Sequence, residues 1–278
     1  MREKERSKER SLKNFIKAIN KKIFFYLSKG IYNFFLNFKT PITKILSLFN
    51  LRISQTYTFL IPIETDKKII KFINISSKFS MTGHMRMYLL AQAILNTKEK
   101  RLEGDFVECG VWRGGNILLY KLLNDFYGLN KTIFAYDTFE GMTEPEGIDM
   151  DFGGTSAKKY LITNRKYLTA TIDHVRKNIL KYTNLKKINF IFGPVEKTLL
   201  KKENLPKKIS VLRLDTDWYS STKIELEILY PRLVDGGVLI IDDYGSWRGS
   251  KKATDEYFFG KKKWLHVYDH TCRYLIKD

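Results

Sequence analysis

The sequence predicts an α/β protein: a mostly parallel, seven-stranded sheet with helices on both faces, preceded by a helical extension. Three observations predict it. After about residue 80, short apolar runs alternate with amphipathic stretches of ten or more residues, the pattern of strands that feed crossover helices. Those runs are almost continuously apolar, as strands buried on both faces are. At 278 residues, 44% hydrophobic and 14% aromatic, the chain has enough apolar surface for such a core, which excludes a wholly disordered protein.

The elements follow in order. Met87–Asn96 reads as a helix, and Asp105–Cys109 as the first strand, followed at once by Gly110, Gly114 and Gly115. Asn116–Phe126 is helical, and Thr132–Tyr136 is a second strand running into Asp137. A helix over Asp173–Tyr182 precedes the third strand, Ile188–Phe192, and the fourth, Ser210–Leu214. Ser221–Leu233 is a helix with Leu226, Leu229, Tyr230 and Leu233 on one side, at helical spacing. Gly236 and Gly237 read as a turn before the fifth strand, Val238–Ile241. A helix over Ser250–Phe259 and two short strands, Trp264–Tyr268 and Cys272–Ile276, close the chain. The stretch from Glu144 to Lys166, with Gly147, Gly153 and Gly154, reads as a flexible lid or a plain surface loop.

The net charge is +19, from 49 Lys and Arg against 30 Asp and Glu. Taken alone that points to nucleic acid or an anionic membrane. Residues 1–39 hold 11 of the basic residues against three Glu, a net +8. From Leu12 the apolar residues Phe15, Ile16, Ile19, Ile23, Tyr26, Leu27, Ile31, Phe34 and Phe38 recur at helical spacing. Residues 1–50 therefore read as a basic amphipathic helical extension. Its apolar runs are too short for a membrane span, and lysines interrupt them where a secretory signal would be apolar. Packing on the body or on a second subunit is the expectation that general packing favours. An in-plane helix on an anionic membrane is the alternative, and nucleic acid the weakest reading. Residues 51–79 read as a linker or lid-like segment, and 80–278 as the main domain. Two cysteines, Cys109 and Cys272, make neither a disulfide framework nor a zinc cluster, so a reducing cytoplasm is expected.

Open parallel sheets bind ligands at the carboxyl ends of their strands, where strand order reverses. Here the first strand ends Glu108-Cys109-Gly110-Val111-Trp112-Arg113-Gly114. Glycines let the backbone turn and approach a ligand closely. An acidic residue before the first glycine suits a cationic or amino-bearing ligand better than a pyrophosphate. Asp137, 27 residues after Gly110, is placed to accept ribose hydroxyls, or else caps a helix. The fourth strand ends Asp215-Thr216-Asp217 and the fifth Asp242-Asp243. Four carboxylates converging at adjacent strand ends repel one another. An oxygen-ligated divalent cation such as Mg²⁺ resolves the repulsion. One aspartate is then free to act as a general base.

The runs LRLDTDWYSSTKIELEILYPRLVDGGVLIIDDYGSW (Leu212–Trp247), GDFVECGVWRGG (Gly104–Gly115), YDTFEGM (Tyr136–Met142) and KKATDEYF (Lys251–Phe258) resemble the macrocin O-methyltransferase, or TylF-type, family over roughly residues 80–278. The resemblance implies a Rossmann-like class I methyltransferase that uses S-adenosylmethionine and Mg²⁺ to methylate a hydroxyl of a sugar or glycosylated small molecule. It places Glu108 and Gly110 at the methionine part of the cofactor, Gly114 also at the cofactor, Asp137 at the ribose, and Val195 and Glu196 of GPVEKT near the adenine. Met81 and Thr82 match a Met-Thr segment that also contacts the cofactor. Asp215, Asp242 and Asp243 match the metal ligands, with Asp215 also at the cofactor, and Asp217 matches the catalytic base. The resemblance further implies a homodimer acting on a small-molecule or glycan acceptor, and the charge suits an anionic one. Two positions depart from the family pattern: Ser246 stands where a His is common, and Thr271-Cys272-Arg273 replaces a Thr-Gly-Arg. A metal-dependent glycosyltransferase built on Asp215-Thr216-Asp217 leaves Glu108 and Asp242-Asp243 without a purpose. A nucleic-acid methyltransferase is disfavoured because no proline follows the fourth-strand aspartate.

Overall fold

The computed structural model describes residues 61–278; the basic extension and the first part of the expected linker lie outside them. Helix α1 (Lys67–Ser76) starts at Asp66, whose side chain accepts a hydrogen bond from the Lys68 amide, as an N-cap does. A short 3₁₀ turn (Ser77–Phe79) leads to α2 (His84–Glu99). There follow β1 (Asp105–Cys109), α3 (Gly115–Phe126), β2 (Ile133–Asp137), α4 (Ala157–Leu168), α5 (Ile172–Leu180) and β3 (Ile188–Phe192). The second half comprises α6 (Val195–Thr198), β4 (Ile209–Leu214), α7 (Tyr219–Ile228), β5 (Leu233–Ile241), α8 (Arg248–Phe258), β6 (His266–Val267) and β7 (Arg273–Ile276).

The seven strands form one sheet in the order β3-β2-β1-β4-β5-β7-β6. The first five are mutually parallel, and β7 runs antiparallel to both β5 and β6. Alternate residues of each strand enter cores on opposite faces, as a pleat requires. Phe106, Val211 and Ile240 join one core, under α1, α2 and α3; Val107, Leu212 and Leu239 join the other. The central strands are therefore apolar on both sides, which is why the sequence shows them as unbroken runs.

Strand order reverses between β1 and β4. Three backbone hydrogen bonds hold the strand ends there at one level. Gly110 N donates to Tyr136 O, Asp215 N to Cys109 O and Asp242 N to Leu214 O, at 2.9, 2.9 and 3.0 Å. Gly110 has φ +87°, and a Cβ on it would lie 2.0 Å from the Asp215 carbonyl oxygen. No other residue fits that junction.

Three expectations change. The described part of the expected linker, 61–79, is not a linker. Ile61, Ile69 and Ile73 are buried in the core with α2 and α3, and Gly115 lets residues 76–80 approach the start of α3, since a Cβ there would meet Ser80 at 2.5 Å. The stretch 144–166 is not a bare loop: from Ala157 it is helix α4, capped by the Ser156 side chain. Gly236 and Gly237 lie inside β5 rather than before it, at a register shift against β4.

Ile73 is fully buried. Ile73→Ala should cost roughly 2–5 kcal/mol of unfolding free energy, measured by urea denaturation; a linker position would show almost no change.

Candidate active site

Two adjoining cavities open at the reversal point. The first, about 790 Å³ including space open to solvent, is bounded by Gly110, Asp137, Gly193–Glu196, Asp215, Asp217 and the apolar residues Met81, Trp112 and Leu168. The second is bounded by Met81, Thr82, Arg86, Tyr160, Leu168, Asp215, Asp217, Asp242, Asp243 and Trp247. Met81, Leu168, Asp215 and Asp217 belong to both walls. A ligand in one cavity therefore meets a ligand in the other across Asp215 and Asp217.

Behind this junction lies a buried charge network. Glu108 and Arg213 are register partners across β1 and β4, and both are fully buried. Arg213 Nη1 donates to Glu108 Oε1 at 2.5 Å and to Asp215 Oδ2 at 2.8 Å. Its Nη2 donates to Asp242 Oδ1 at 2.7 Å and to Thr82 Oγ1 at 3.1 Å. The second oxygen of Asp242 accepts from Arg86 at 2.5 Å, and Arg86 also donates to Asp269 at 2.8 Å. Asn116 completes the set by donating to Glu108 Oε1 at 3.0 Å and Thr82 Oγ1 at 3.1 Å.

The titration behaviour follows from these contacts. Burial pushes Glu108 up to about 7 against the pull of Arg213. Burial also raises Asp215 well above the carboxylate range, although Arg213 opposes it. In Asp242 the two arginines outweigh burial and hold it below its ordinary value. Burial and the neighbouring Asp217 and Asp242 raise Asp243. Burial lifts Asp217 to about 7, with a hydrogen bond to Asp243 working the other way. Six carboxylates in this region face two arginines, so the site retains a demand for positive charge.

A divalent cation fits that demand. One oxygen each from Asp215, Asp242 and Asp243 lies within 4.8 Å of the others. Asp243 Oδ2 is buried with no hydrogen-bond partner. Three carboxylates, one of them with an unsatisfied buried oxygen, are a donor set suited to Mg²⁺.

The structure distributes the other expected residues unevenly. Met81, Gly110, Asp137, Val195 and Glu196 line the first cavity, and Thr82 the second. Asp137 also has an internal duty: its Oδ2 accepts from the Val111 and Trp112 amides at 2.6 and 3.0 Å, and its Oδ1 from the Phe139 amide at 2.7 Å. It thus ties the glycine loop to the end of β2. Glu108 is not on a cavity wall. The cation that its position calls for is Arg213, not a ligand. Gly114 is also displaced from the expected role: it has φ +87°, and a Cβ there would meet Val175 of α5 at 2.8 Å, so it serves packing. Arg273 borders neither cavity; it donates to the Asp269 and Cys272 carbonyls and lies over the Tyr244 ring.

Several site residues escaped the sequence reading. Arg213 carried a signal, because an arginine inside ISVLRL, a strand read as fully buried, must have an internal partner. Arg86, Tyr160 and Trp247 carried none, since only the fold brings them to the site. Asp149 is another: it is buried, and its Oδ1 accepts from the Tyr219 amide at 2.9 Å, and its Oδ2 from Glu146 N at 2.7 Å. It pins the stretch before α4 to the start of α7. Asp151 bridges Trp247 and Met150 bridges Ser156, and α4 contributes Tyr160 and Leu168 to the wall of the second cavity.

A 3-2-1-4-5-7-6 sheet with an antiparallel seventh strand, carrying a cavity and an acidic cluster at its reversal point, defines a methyltransferase of the class I fold. The macrocin-O-methyltransferase (TylF) family pattern matches residues 73–274, and the chain belongs to that family. It is 32% identical over 181 residues to a demethyldecarbamoylnovobiocin O-methyltransferase of Streptomyces niveus, covering 64% of this chain and 67% of that protein. It is 33% identical over 168 residues to an 8-demethyl-8-(2,3-dimethoxy-alpha-L-rhamnosyl)-tetracenomycin-C 4'-O-methyltransferase of Streptomyces olivaceus, covering 59% of this chain and 62% of that one. Among solved structures it resembles the O-methyltransferase NovP, with a TM-score of 0.64 and 30% identity over 72% of this chain and 82% of NovP.

Asp217 sets a test of the electrostatics. Its ordinary pKa is 3.8 and its folded value is about 7. Below the lower value both states are protonated and the group costs nothing; the cost grows as pH rises and is complete above the folded value. Asp217 has φ +70°, a conformation that Asn also tolerates. In EDTA, Asp217→Asn should therefore melt several degrees above the parent near pH ~8 and converge with it near pH ~4. Equal melting at the higher pH would contradict the burial account.

Proposed function

We propose that the chain is an S-adenosylmethionine- and Mg²⁺-dependent O-methyltransferase that methylates a hydroxyl of a sugar or glycosylated small molecule. The observation that carries the proposal is the shared wall: Asp215 and Asp217 border both cavities. The family and the rhamnoside-directed and novobiocin-type relatives support the acceptor class.

In this reading the first cavity takes the donor. Gly110 brings bare backbone to the methionine part. The remaining acceptor capacity of Asp137 serves the ribose. Val195 packs on the adenine, and Glu196, whose Oε2 is buried without a partner, accepts from its amino group. When bound, Mg²⁺ supplies a Lewis acid beside the acceptor oxygen and S-adenosylmethionine supplies the sulfonium methyl. Asp215, Asp242 and Asp243 would hold the cation. Arg213 and Arg86 fix the Asp242 carboxylate in place before any ligand arrives.

Asp217 would take the proton of the acceptor hydroxyl, to whose oxygen S-adenosylmethionine would supply the methyl group with loss of its bond to sulfur. A carboxylate lifted to about 7 is a stronger base than an exposed aspartate and keeps a substantial ionised fraction at neutral pH. Leu168, Trp247 and helix α4 exclude water from the junction. Ser246 leaves Asp217 as the only candidate base among the residues read from the sequence. A cytoplasmic setting belongs to the same proposal on the cysteine count, and homodimerisation on the resemblance; membrane contact is the alternative reading of the basic residues 1–50. Among the described residues no helix is long and apolar enough to cross a membrane.

Radiolabelled methyl transfer to a panel of glycosides tests the function. Transfer should require Mg²⁺ and disappear in EDTA. Asp217→Asn should lower turnover by about 10²–10⁴-fold with near-normal S-adenosylmethionine affinity. Asp243→Asn should lose Mn²⁺ binding by calorimetry as well. Full activity in EDTA would sink the metal reading, and label entering only RNA would sink the acceptor class.

A further inference from the structure

The wall of the second cavity is of mixed polarity. It offers charged groups, Asp215, Asp217, Asp242, Asp243 and Arg86, together with apolar and aromatic ones, Met81, Leu168, Tyr160 and Trp247. A ligand that satisfies both carries hydroxyls along one edge and C–H groups on a face. A pyranose ring has that division.

The aromatic part of the wall is a braced structure. Trp247 meets Tyr160 edge-on at 5.5 Å and Trp218 edge-on at 5.0 Å. Trp218 is buried and its indole N–H donates to Thr143 O at 3.1 Å. The Trp247 amide donates to Asp243 O at 3.0 Å, and the next amide, of Arg248, to Met150 O at 2.9 Å. Behind the rings, Ala157, Leu161 and Leu168 of α4 share a small core with Trp218 and Trp247. Tyr160 is thus the partly exposed end of a ladder whose other two rings are buried and fixed. Rotation of its ring away from the cavity would give up the contact with Trp247. The ring enters the binding space already ordered, which lowers the entropy cost of stacking.

We propose that Tyr160 is the platform on which the acceptor's pyranose ring lies, with its reacting edge toward Asp217 and the metal carboxylates. This rests on the methyl-transfer reading and assigns its acceptor specificity to helix α4. The ring's face does the work, because stacking needs the π-system and the apolar ring surface. Phenylalanine should therefore replace Tyr160 and alanine should not.

The test is fluorescence titration of the full chain saturated with S-adenosylhomocysteine and Mg²⁺. The probes are methyl α-L-rhamnopyranoside, a pyranoside with adjacent hydroxyls, and catechol, a flat non-sugar diol. Tyr160→Ala should weaken the pyranoside about tenfold, as expected for loss of about 1.4 kcal/mol of stacking. Tyr160→Phe should bind within about twofold of the parent, on the same scale. Ile162→Ala, at an exposed position of the same helix, should change nothing. S-adenosylhomocysteine affinity should be the same in all variants, because Tyr160 does not border the donor cavity. Unchanged pyranoside binding in Tyr160→Ala overturns the platform, as does a Tyr160→Phe defect equal to that of alanine. Catechol binding without pyranoside binding, or no pyranoside binding by the parent, overturns the sugar ring as occupant. Failure of the parent to bind S-adenosylhomocysteine instead overturns the methyl-transfer reading beneath it.

Discussion

Arg213 is the constraint on which the rest of the site depends. A guanidinium in the middle of a buried parallel strand has no water, so its charge must be answered inside the fold; both Nη groups are answered, while Nε is buried without a partner. Glu108, one strand over and in register, answers from one side. Asp215 and Asp242, at the ends of β4 and β5, answer from the other. The same contacts work in reverse: without Arg213 those three carboxylates would sit together with little compensation, at a cost of roughly 3–5 kcal/mol or more. The arginine thus allows an acidic cluster to be built at the reversal point, and fixes two of its members in direction.

The compensation is incomplete, and the shortfall carries the function. Asp243 keeps a buried oxygen with no partner, and burial raises Asp215, Asp217 and Asp243 above the carboxylate range. A cluster satisfied by arginines alone would be a structural ion network. One short of positive charge suits the proposed cation site, with the proposed base beside it. Tyr160, Leu168 and Trp247 add apolar surface to the wall that carries these charges, so one small volume offers both chemistries.

The sheet was legible in the sequence because central parallel strands are apolar on both faces and interrupted by helices of different period. Their carboxyl ends were legible for the same reason, and Asp215, Asp217, Asp242 and Asp243 do converge there. Roles depending on side-chain direction were less so. Glu108 and Gly114 lie in the motif but not on the cavity. Glu108 points into the face shared with Arg213, and Gly114 makes room for Val175. Helix α4 was hidden because the apolar residues of AKKYLITNRKYL are not confined to one face, only Ala157, Leu161 and Leu168 being buried, and the glycines before it read as loop. Helix α1 was missed because its short apolar stripe falls within residues 51–79, which read as a linker. Arg86 and Trp247 are brought to the site only by tertiary packing, which no local pattern records.

The account's central claim is that the arginine-braced carboxylates form one cation site at the junction of the two cavities. Anomalous diffraction from crystals soaked in Mn²⁺ tests it most directly. The account predicts a single strong peak in contact with Asp215, Asp242 and Asp243, with Arg213 still bonded to Glu108 and Asp242. A fully soaked crystal with no peak there, or with the metal bound only after Asp242 has turned away from Arg213, would contradict it.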